Sequence, residues 1–256
     1  MTEKQQWFKP EEKQKKKIAY INARLIDPES GLDEKGSLLT EGDVIKDFGA
    51  KLFKDGVPEG VETIDCKGNV LCPGLLDIQV HFREPGQEHK ETIETGSKSA
   101  AAGGVTTVVC QPNTKPVLDE VPILEFIKNR ARETSYVNIR VYAAISKNME
   151  GKELTEMGLL KETGIVAGFT DDGLPVMNSL LMRRALEYAR ELDLPIAQHA
   201  EDIILSDGGC INEGRVSTKL GVKGICNATE AIIVERDLQL LEMTGGFYHV
   251  LHISTR

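Results

Sequence analysis

The sequence predicts an α/β fold: a TIM (β/α)8 barrel cut after about six units, preceded by a small N-terminal β-sandwich module. Three observations carry this expectation. From Pro73 onward, short apolar or β-branched runs alternate with helix-period segments, the pattern of parallel strands joined by helical crossovers. Before Pro73, residues 18–72 hold only short strand-like runs. Finally, polar side chains recur at the C-terminal ends of the later strands, where barrels gather their active sites. A doubly wound open sheet is the rival, but no glycine-rich phosphate loop follows the first strand of the repeat. The expected domains are 1–72, an N-terminal segment and small β module, and 73–256, an incomplete (β/α) barrel.

The elements follow in order. Ile18–Ile26 mixes apolar and polar residues and stops at Asp27-Pro28. Ser37–Gly49 reads as a hairpin around Glu41-Gly42-Asp43. Val61–Asp65 and Asn69–Cys72 are short strands with Gly68 as a turn. In the repeat, Leu75–His81 is a strand and Thr92–Ala102 a helix. Val105–Cys110 is a β-branched strand expected to be buried. Val121–Glu133 is a helix with Pro122 in its first turn. Val137–Ala144 is a strand and Glu153–Thr163 a helix. Ile165–Thr170 is a strand, and Ser179–Leu192 a helix with Ser179 as its N-cap. Pro195–Gln198 is a strand, Asn227–Met243 a long helix and Phe247–Ile253 a strand. Six units do not close an eight-stranded barrel, so the 256 residues are expected to be a fragment, or the remaining units to lie in a further segment.

Composition excludes several classes. The net charge of -9 argues against non-specific nucleic-acid binding. The basic run at Lys13, Lys15, Lys16 and Lys17 reads as a solvated N-terminal segment. No apolar run of about 18 residues suggests a membrane span, and Met1–Lys17 is too polar for a signal peptide. Five cysteines, odd in number and without CxxC spacing, fit reduced thiols in the cytoplasm.

The richest stretch is Pro73-Gly-Leu-Leu-Asp-Ile-Gln-Val-His-Phe-Arg-Glu-Pro-Gly86. Alternate residues of a strand share a face, so Asp77, Gln79 and His81 point one way and Ile78 and Val80 the other. Two imidazoles so placed would grip one cation; here the first position is Gln79. Arg83 follows at the same strand end, and Gln111, Asn113, Asp171, Asp172, His199 and His252 fall at other strand ends. His81, Asp172, His199 and His252 have the nitrogen and oxygen ligands of a hydrolytic zinc site. Two zinc ions about 4 Å apart would lower the pKa of a water toward neutrality. His89 and His249 read as ordinary surface or structural histidines.

Five motifs carry a resemblance: Asp77-Ile-Gln-Val-His-Phe-Arg-Glu-Pro-Gly86, Gln111-Pro-Asn-Thr114, Phe169-Thr-Asp-Asp-Gly173, Gln198-His-Ala-Glu-Asp202 and His249-Val-Leu-His-Ile-Ser-Thr255. The chain resembles class I dihydroorotase, a cyclic amidohydrolase of pyrimidine biosynthesis, from about residue 18 onward. The resemblance implies a metal-dependent hydrolase barrel with one or two Zn2+ per chain. Gln79 and His81 would take the first-strand ligand positions. Asp172 would bridge the metals, where hydantoinases and dihydropyrimidinases use a carboxylated lysine. His199 and His252 would hold the second metal. Arg83 and Asn113 would bind the carboxylate of dihydroorotate or carbamoyl aspartate.

Two departures shape the expectation. Gln79 offers a neutral amide oxygen in place of an imidazole. The family's later aspartate, a general acid/base, would fall beyond Arg256, so these 256 residues alone are expected to be inactive or nearly so. Two other readings stay open. One is an inactive dihydroorotase-like subunit with a structural role, for example supporting aspartate transcarbamoylase; a homodimer is the other expected assembly. The second is a sister amidohydrolase such as an allantoinase, against which Arg83-Glu84-Pro85-Gly86 and Asn113 weigh.

Overall fold

The computed structural model describes residues 16–255. Two compact units divide the chain between residues 75 and 76. Among the described residues, no helix is long and apolar enough to cross a membrane.

The first unit is all β. β1 (Lys17–Asp27) pairs antiparallel with β2 (Leu32–Glu41), which pairs antiparallel with β3 (Val44–Gly49). β4 (Glu62–Asp65) and β5 (Val70–Leu71) both lie parallel to β1. The β1–β2 turn is built by Asp27, whose carboxylate accepts from the backbone N–H of Glu29 and Ser30 and from the Ser30 hydroxyl. All five strands join one sheet; the second layer of the expected sandwich is not among the described residues. Of the basic run, Lys13 and Lys15 lie outside the described residues. Lys16 and Lys17 are exposed and face Glu62 and Glu41.

The second unit is a curled, parallel sheet of six strands in chain order: β6 (Leu75–Val80), β7 (Val105–Cys110), β8 (Asn138–Ala143), β9 (Val166–Phe169), β10 (Ile196–Gln198) and β13 (Tyr248–Val250). Helices α1 (Ile93–Ala102), α2 (Val121–Thr134), α3 (Met157–Glu162), α4 (Ser179–Glu191) and α7 (Ala228–Thr244) connect successive strands. Four short elements intervene before α7: α5 (Ile203–Ser206), β11 (Ile211–Asn212), α6 (Arg215–Leu220) and β12 (Gly224–Ile225). Burial concentrates on the middle strands and the helix faces over them. Val108, Val141, Phe169 and Ile196 are fully buried, with Leu124, Leu160 and Leu186 at 0–1% exposure.

Four local expectations need correction. The Glu153–Thr163 helix shrinks to α3, because residues 153–155 return along the preceding loop. Lys147 N–H donates to the Glu153 carbonyl and Thr155 N–H to that of Ile145. The N-cap of α4 is Asn178, whose side chain accepts from the N–H groups of Leu180 and Leu181; Ser179 is the first helical residue. Only the last three residues of β7 are buried, the first three lying beside the exposed β6 edge. The elements between residues 203 and 225 carry no clear period and were not foreseen.

Candidate metal centre

The site gathers where the strands of the second unit end. Six strands laid flat, about 4.8 Å apart, would separate the outer pair by about 24 Å. Yet His81, just after β6, and His252, just after β13, meet the same carboxylate. His81 Nε2 is 3.5 Å from Asp172 Oδ2, and His252 Nε2 is 3.2 Å from Asp172 Oδ1. The sheet is therefore strongly curled, with Asp172 at the inside of the curve.

Asp172 follows β9 and is 2% exposed. Burial pushes its carboxyl pKa up, but the facing imidazoles of His199, His252 and His81 outweigh that and hold it below the ordinary value. His199, after β10, places Nδ1 3.5 Å from Asp172 Oδ1 and 3.0 Å from His252 Nε2. The two rings meet edge to face at 70°. The Asp172 carboxylate raises the His199 pKa, burial opposes this, and Glu201 adds to the rise. Ligand atoms of Asp172, His199 and His252 all lie within 4.8 Å of one another. One carboxylate oxygen and two imidazole nitrogens, converging on a partly enclosed point, are a donor set that zinc accepts with a position left open.

The neighbouring aspartate faces the other way. Asp171 is 1% exposed and accepts from the backbone N–H of Ile145 and Ser146 and from the Ser146 hydroxyl. It joins the end of β9 to the end of β8 and so orients the turn that carries Asp172.

The β6 side is arranged around Asn113, on the loop after β7. Asn113 Oδ1 lies 3.0 Å from His81 Nδ1 and accepts from Arg83 Nη1 at 3.4 Å. Its Nδ2 sits over Gly173, where a Cβ would come within 3.2 Å and where φ is +98°. Gly173 is thus needed for both space and backbone shape. Arg83 has a left-handed φ of 59°. The next residue, Glu84, is 6% exposed and anchors the loop. Its carboxylate accepts from Ile93 N–H at 2.8 Å and Arg130 Nε at 2.7 Å. At Gly86 a Cβ would lie 1.9 Å from the Lys115 carbonyl, so the Pro85-Gly86 turn packs directly on the loop that holds Asn113.

The structure thus brings together His81, Asp172, His199 and His252, with Asn113 in contact with His81 and Arg83 joined through Asn113. Gln79 lies on β6, two residues before His81, and its N–H donates to Asp77 Oδ1. His89 is exposed, and His249 lies within β13, paired with Ala197. Sequence reasoning missed three carboxylates. Glu201 Oε2 is 3.1 Å from His199 Nε2. Glu230, in the first turn of α7, accepts from the N–H of Ser254 at 2.9 Å and of Thr255 at 2.8 Å, pinning the segment after His252. Asp237, fully buried in α7, accepts from Gln198 Nε2 beside His199 and from the Tyr248 hydroxyl. Only the two-residue spacing of His199 and Glu201 offered a signal.

A family model described as Dihydro-orotase-like matches residues 68–256. The chain belongs to the dihydro-orotase-like family. Among curated relatives, the dihydroorotase of Wolbachia sp. subsp. Brugia malayi (strain TRS) is 63% identical over 242 residues, covering 94% of this chain and 54% of the relative. That of Syntrophus aciditrophicus (strain SB) is 48% identical over 239 residues, covering 93% and 55%. This dihydro-orotase-like chain spans about half the length of the curated relatives it matches. Among solved structures, the L-hydantoinase (dihydropyrimidinase) from Arthrobacter aurescens aligns at a TM-score of 0.75 and 20% identity, over 93% of this chain and 53% of that one. The D-hydantoinase (dihydropyrimidinase) from Thermus sp. aligns at 0.67 and 27%, with the same coverage.

Proposed function

We propose that this chain carries the metal and substrate site of a dihydroorotase, interconverting (S)-dihydroorotate and N-carbamoyl-L-aspartate in de novo pyrimidine biosynthesis. The observation behind it is the meeting of Asp172, His199 and His252 at one point, within 4.8 Å of one another. Under this reading those three residues would hold one zinc ion, and His81, Gln79 and Asp172 would hold a second. When bound, zinc polarises a carbonyl and makes a water more acidic.

The side chains supply the rest. The imidazoles keep Asp172 ionised, so it offers acceptors at neutral pH. Arg83 presents a planar pair of donors to the substrate carboxylate. Asn113 holds that guanidinium by accepting from Nη1, and the buried Glu84 fixes the turn beneath it. The substrate acid is thereby held on the β6 side and its ring directed toward Asp172.

The finer fold reading is that the curled sheet forms six units of a metal-dependent hydrolase (β/α)8 barrel, with 1–72 and 73–256 as domains. Its outer edges support this, since Leu75 and Leu76 of β6 and Phe247, just before β13, are more than half exposed. A cytoplasmic setting, and assembly with itself or with aspartate transcarbamoylase, belong to the same proposal.

Elemental analysis of the purified protein is the first test. One or two zinc ions per chain are expected; none overturns the reading. In equilibrium binding of dihydroorotate, Arg83→Ala is expected to raise Kd about tenfold or more, the scale of a lost charged hydrogen bond, with zinc content unchanged. An unaltered Kd removes Arg83 from the site. Gln79 favours a second reading, an inactive dihydroorotase-like subunit, because it replaces a charged-metal ligand by a weak one. Hydrolysis gained only on Gln79→His would establish that alternative.

A further inference from the structure

His199 sits between two carboxylates, one at each ring nitrogen. Nδ1 faces Asp172 Oδ1 at 3.5 Å, on the side of the cluster, and Nε2 faces Glu201 Oε2 at 3.1 Å, on the opposite edge of the ring. Glu201 is not part of the converging ligand group. It is nevertheless built into the fold. The loop that follows it is closed by Ser206, 6% exposed, whose hydroxyl donates to the Ile203 carbonyl at 3.3 Å. Ser206 ends α5, whose first turn is capped by Asp202 accepting from the N–H of Ile204 and Leu205, both at 3.0 Å. Asp202 N–H in turn donates to the Thr229 carbonyl at 2.8 Å, tying this loop to α7. Glu201 is therefore met at its carboxylate by His199 Nε2 and carried at its backbone by a capped turn.

We propose that Glu201 is a positioning residue for the metal centre, acting through His199; the proposal rests on the zinc reading above. An ionised carboxylate can only accept. Facing Nε2, it requires that nitrogen to carry the proton, so the Nδ1 lone pair points at Asp172 and His252. The same contact fixes the ring's rotation and makes Nδ1 a stronger donor, the role that carboxylates take behind metal-bound histidines. The short segment Ile203–Ser206 thus has a purpose: its Asp202-capped turn, tied to α7, sets the backbone from which Glu201 reaches His199.

A partly exposed histidine–glutamate pair with no such role contributes little and leaves metal binding alone. The discriminating measurement is zinc affinity of the metal-free protein by competition with a chelator. Glu201→Ala is expected to weaken zinc binding about 10–100-fold, with the circular dichroism spectrum and melting profile of the metal-free protein retained. Glu201→Gln, whose amide oxygen still accepts from Nε2–H, is expected to recover most of that loss. Zinc affinity within about twofold of wild type in Glu201→Ala overturns the role of Glu201 while leaving the metal site standing. Absence of zinc binding in the wild type overturns both. Equal losses in the alanine and glutamine variants also overturn it, because a tautomer-fixing acceptor must be replaceable by another acceptor.

Discussion

The two flanks of the second unit's sheet are built on different principles. On the β6 flank, one short stretch holds Gln79, His81, Arg83 and Glu84, and the strand is open: Leu75, Leu76 and Ile78 are 37–58% exposed. On the β9–β13 flank, the candidate ligands Asp172, His199 and His252 come from separate parts of the chain, yet Ile196, Ala197 and Gln198 of β10 are fully buried. Buried carboxylates, Asp171, Glu230 and Asp237, hold that flank from behind. Sequence-local clustering and structural rigidity are thus separate properties. The residues nearest one another in sequence stand on the less enclosed support.

Chemical labelling gives the largest expected contrast. Cys110, 6% exposed at the end of β7, lies one strand in from the open edge. Burial pushes its thiol up from 9.0 to about 12. The thiolate is the reactive form, so at pH 8 a three-unit rise leaves about a thousandfold less of it than in an ordinary cysteine. The sign follows from linkage: the fold favours the neutral thiol, a stability contribution present below the unfolded pKa and lost as pH rises toward 12. Cys72 and Cys210, both exposed, are expected to react with a thiol reagent about a thousandfold faster than Cys110. A contrast of only tenfold would mean that the β6 edge opens locally at a substantial population, sharpening the difference between the flanks.

Metal binding tests the same comparison at the site. Asp172 is the carboxylate that all three imidazoles face, whereas His81 approaches only its far oxygen. Asp172→Ala is expected to weaken zinc binding more than about a hundredfold, beyond the usual cost of losing a supporting group. His81→Ala is expected to cost about tenfold or less at the tighter site. Chelator competition on both variants reads the difference, and equal losses would mean that the two flanks share a single metal position equally.

Much of this arrangement was legible in the sequence, and the rest was hidden for identifiable reasons. Strand order and the strand-end positions of His81, Asp172, His199 and His252 follow from alternating periods, which local residue types determine. Glu230 and Asp237 were invisible because a carboxylate in a charged helix reads as solvated; only packing shows them 7% and 0% exposed. Ser179 looked like a cap because it is a good one by type, but Asn178 reaches the free N–H groups first. The front of the α3 segment was lost to tertiary bonds, Thr155 Oγ1 donating to the Ala144 carbonyl at 2.8 Å. Gln79, where the resemblance implies an imidazole, is visible from the sequence alone, while the loop that carries Glu201 has no period to read.

The carboxylates behind each flank offer the finest test. Asp237 is fully buried and accepts from Arg236 Nη2 at 2.6 Å, the Tyr248 hydroxyl at 2.7 Å and Gln198 Nε2 at 3.1 Å. Arg236 also donates to the Val176 and Met177 carbonyls, so the group locks α7 to β10, β13 and the loop after Asp172. Asp237→Ala leaves three donors, one of them charged, without their acceptor, and is expected to cost about 3–4 kcal/mol. Glu84→Gln keeps one acceptor for the Ile93 N–H and weakens the link to Arg130, which is 34% exposed and can turn to water. It is expected to cost about 1–2 kcal/mol. Urea unfolding of both variants should therefore differ by about 2 kcal/mol, roughly thirtyfold in the unfolding constant. Equal costs would show that the β6 loop is as firmly built as the opposite flank, and that its exposure reflects an open edge and not a weaker support.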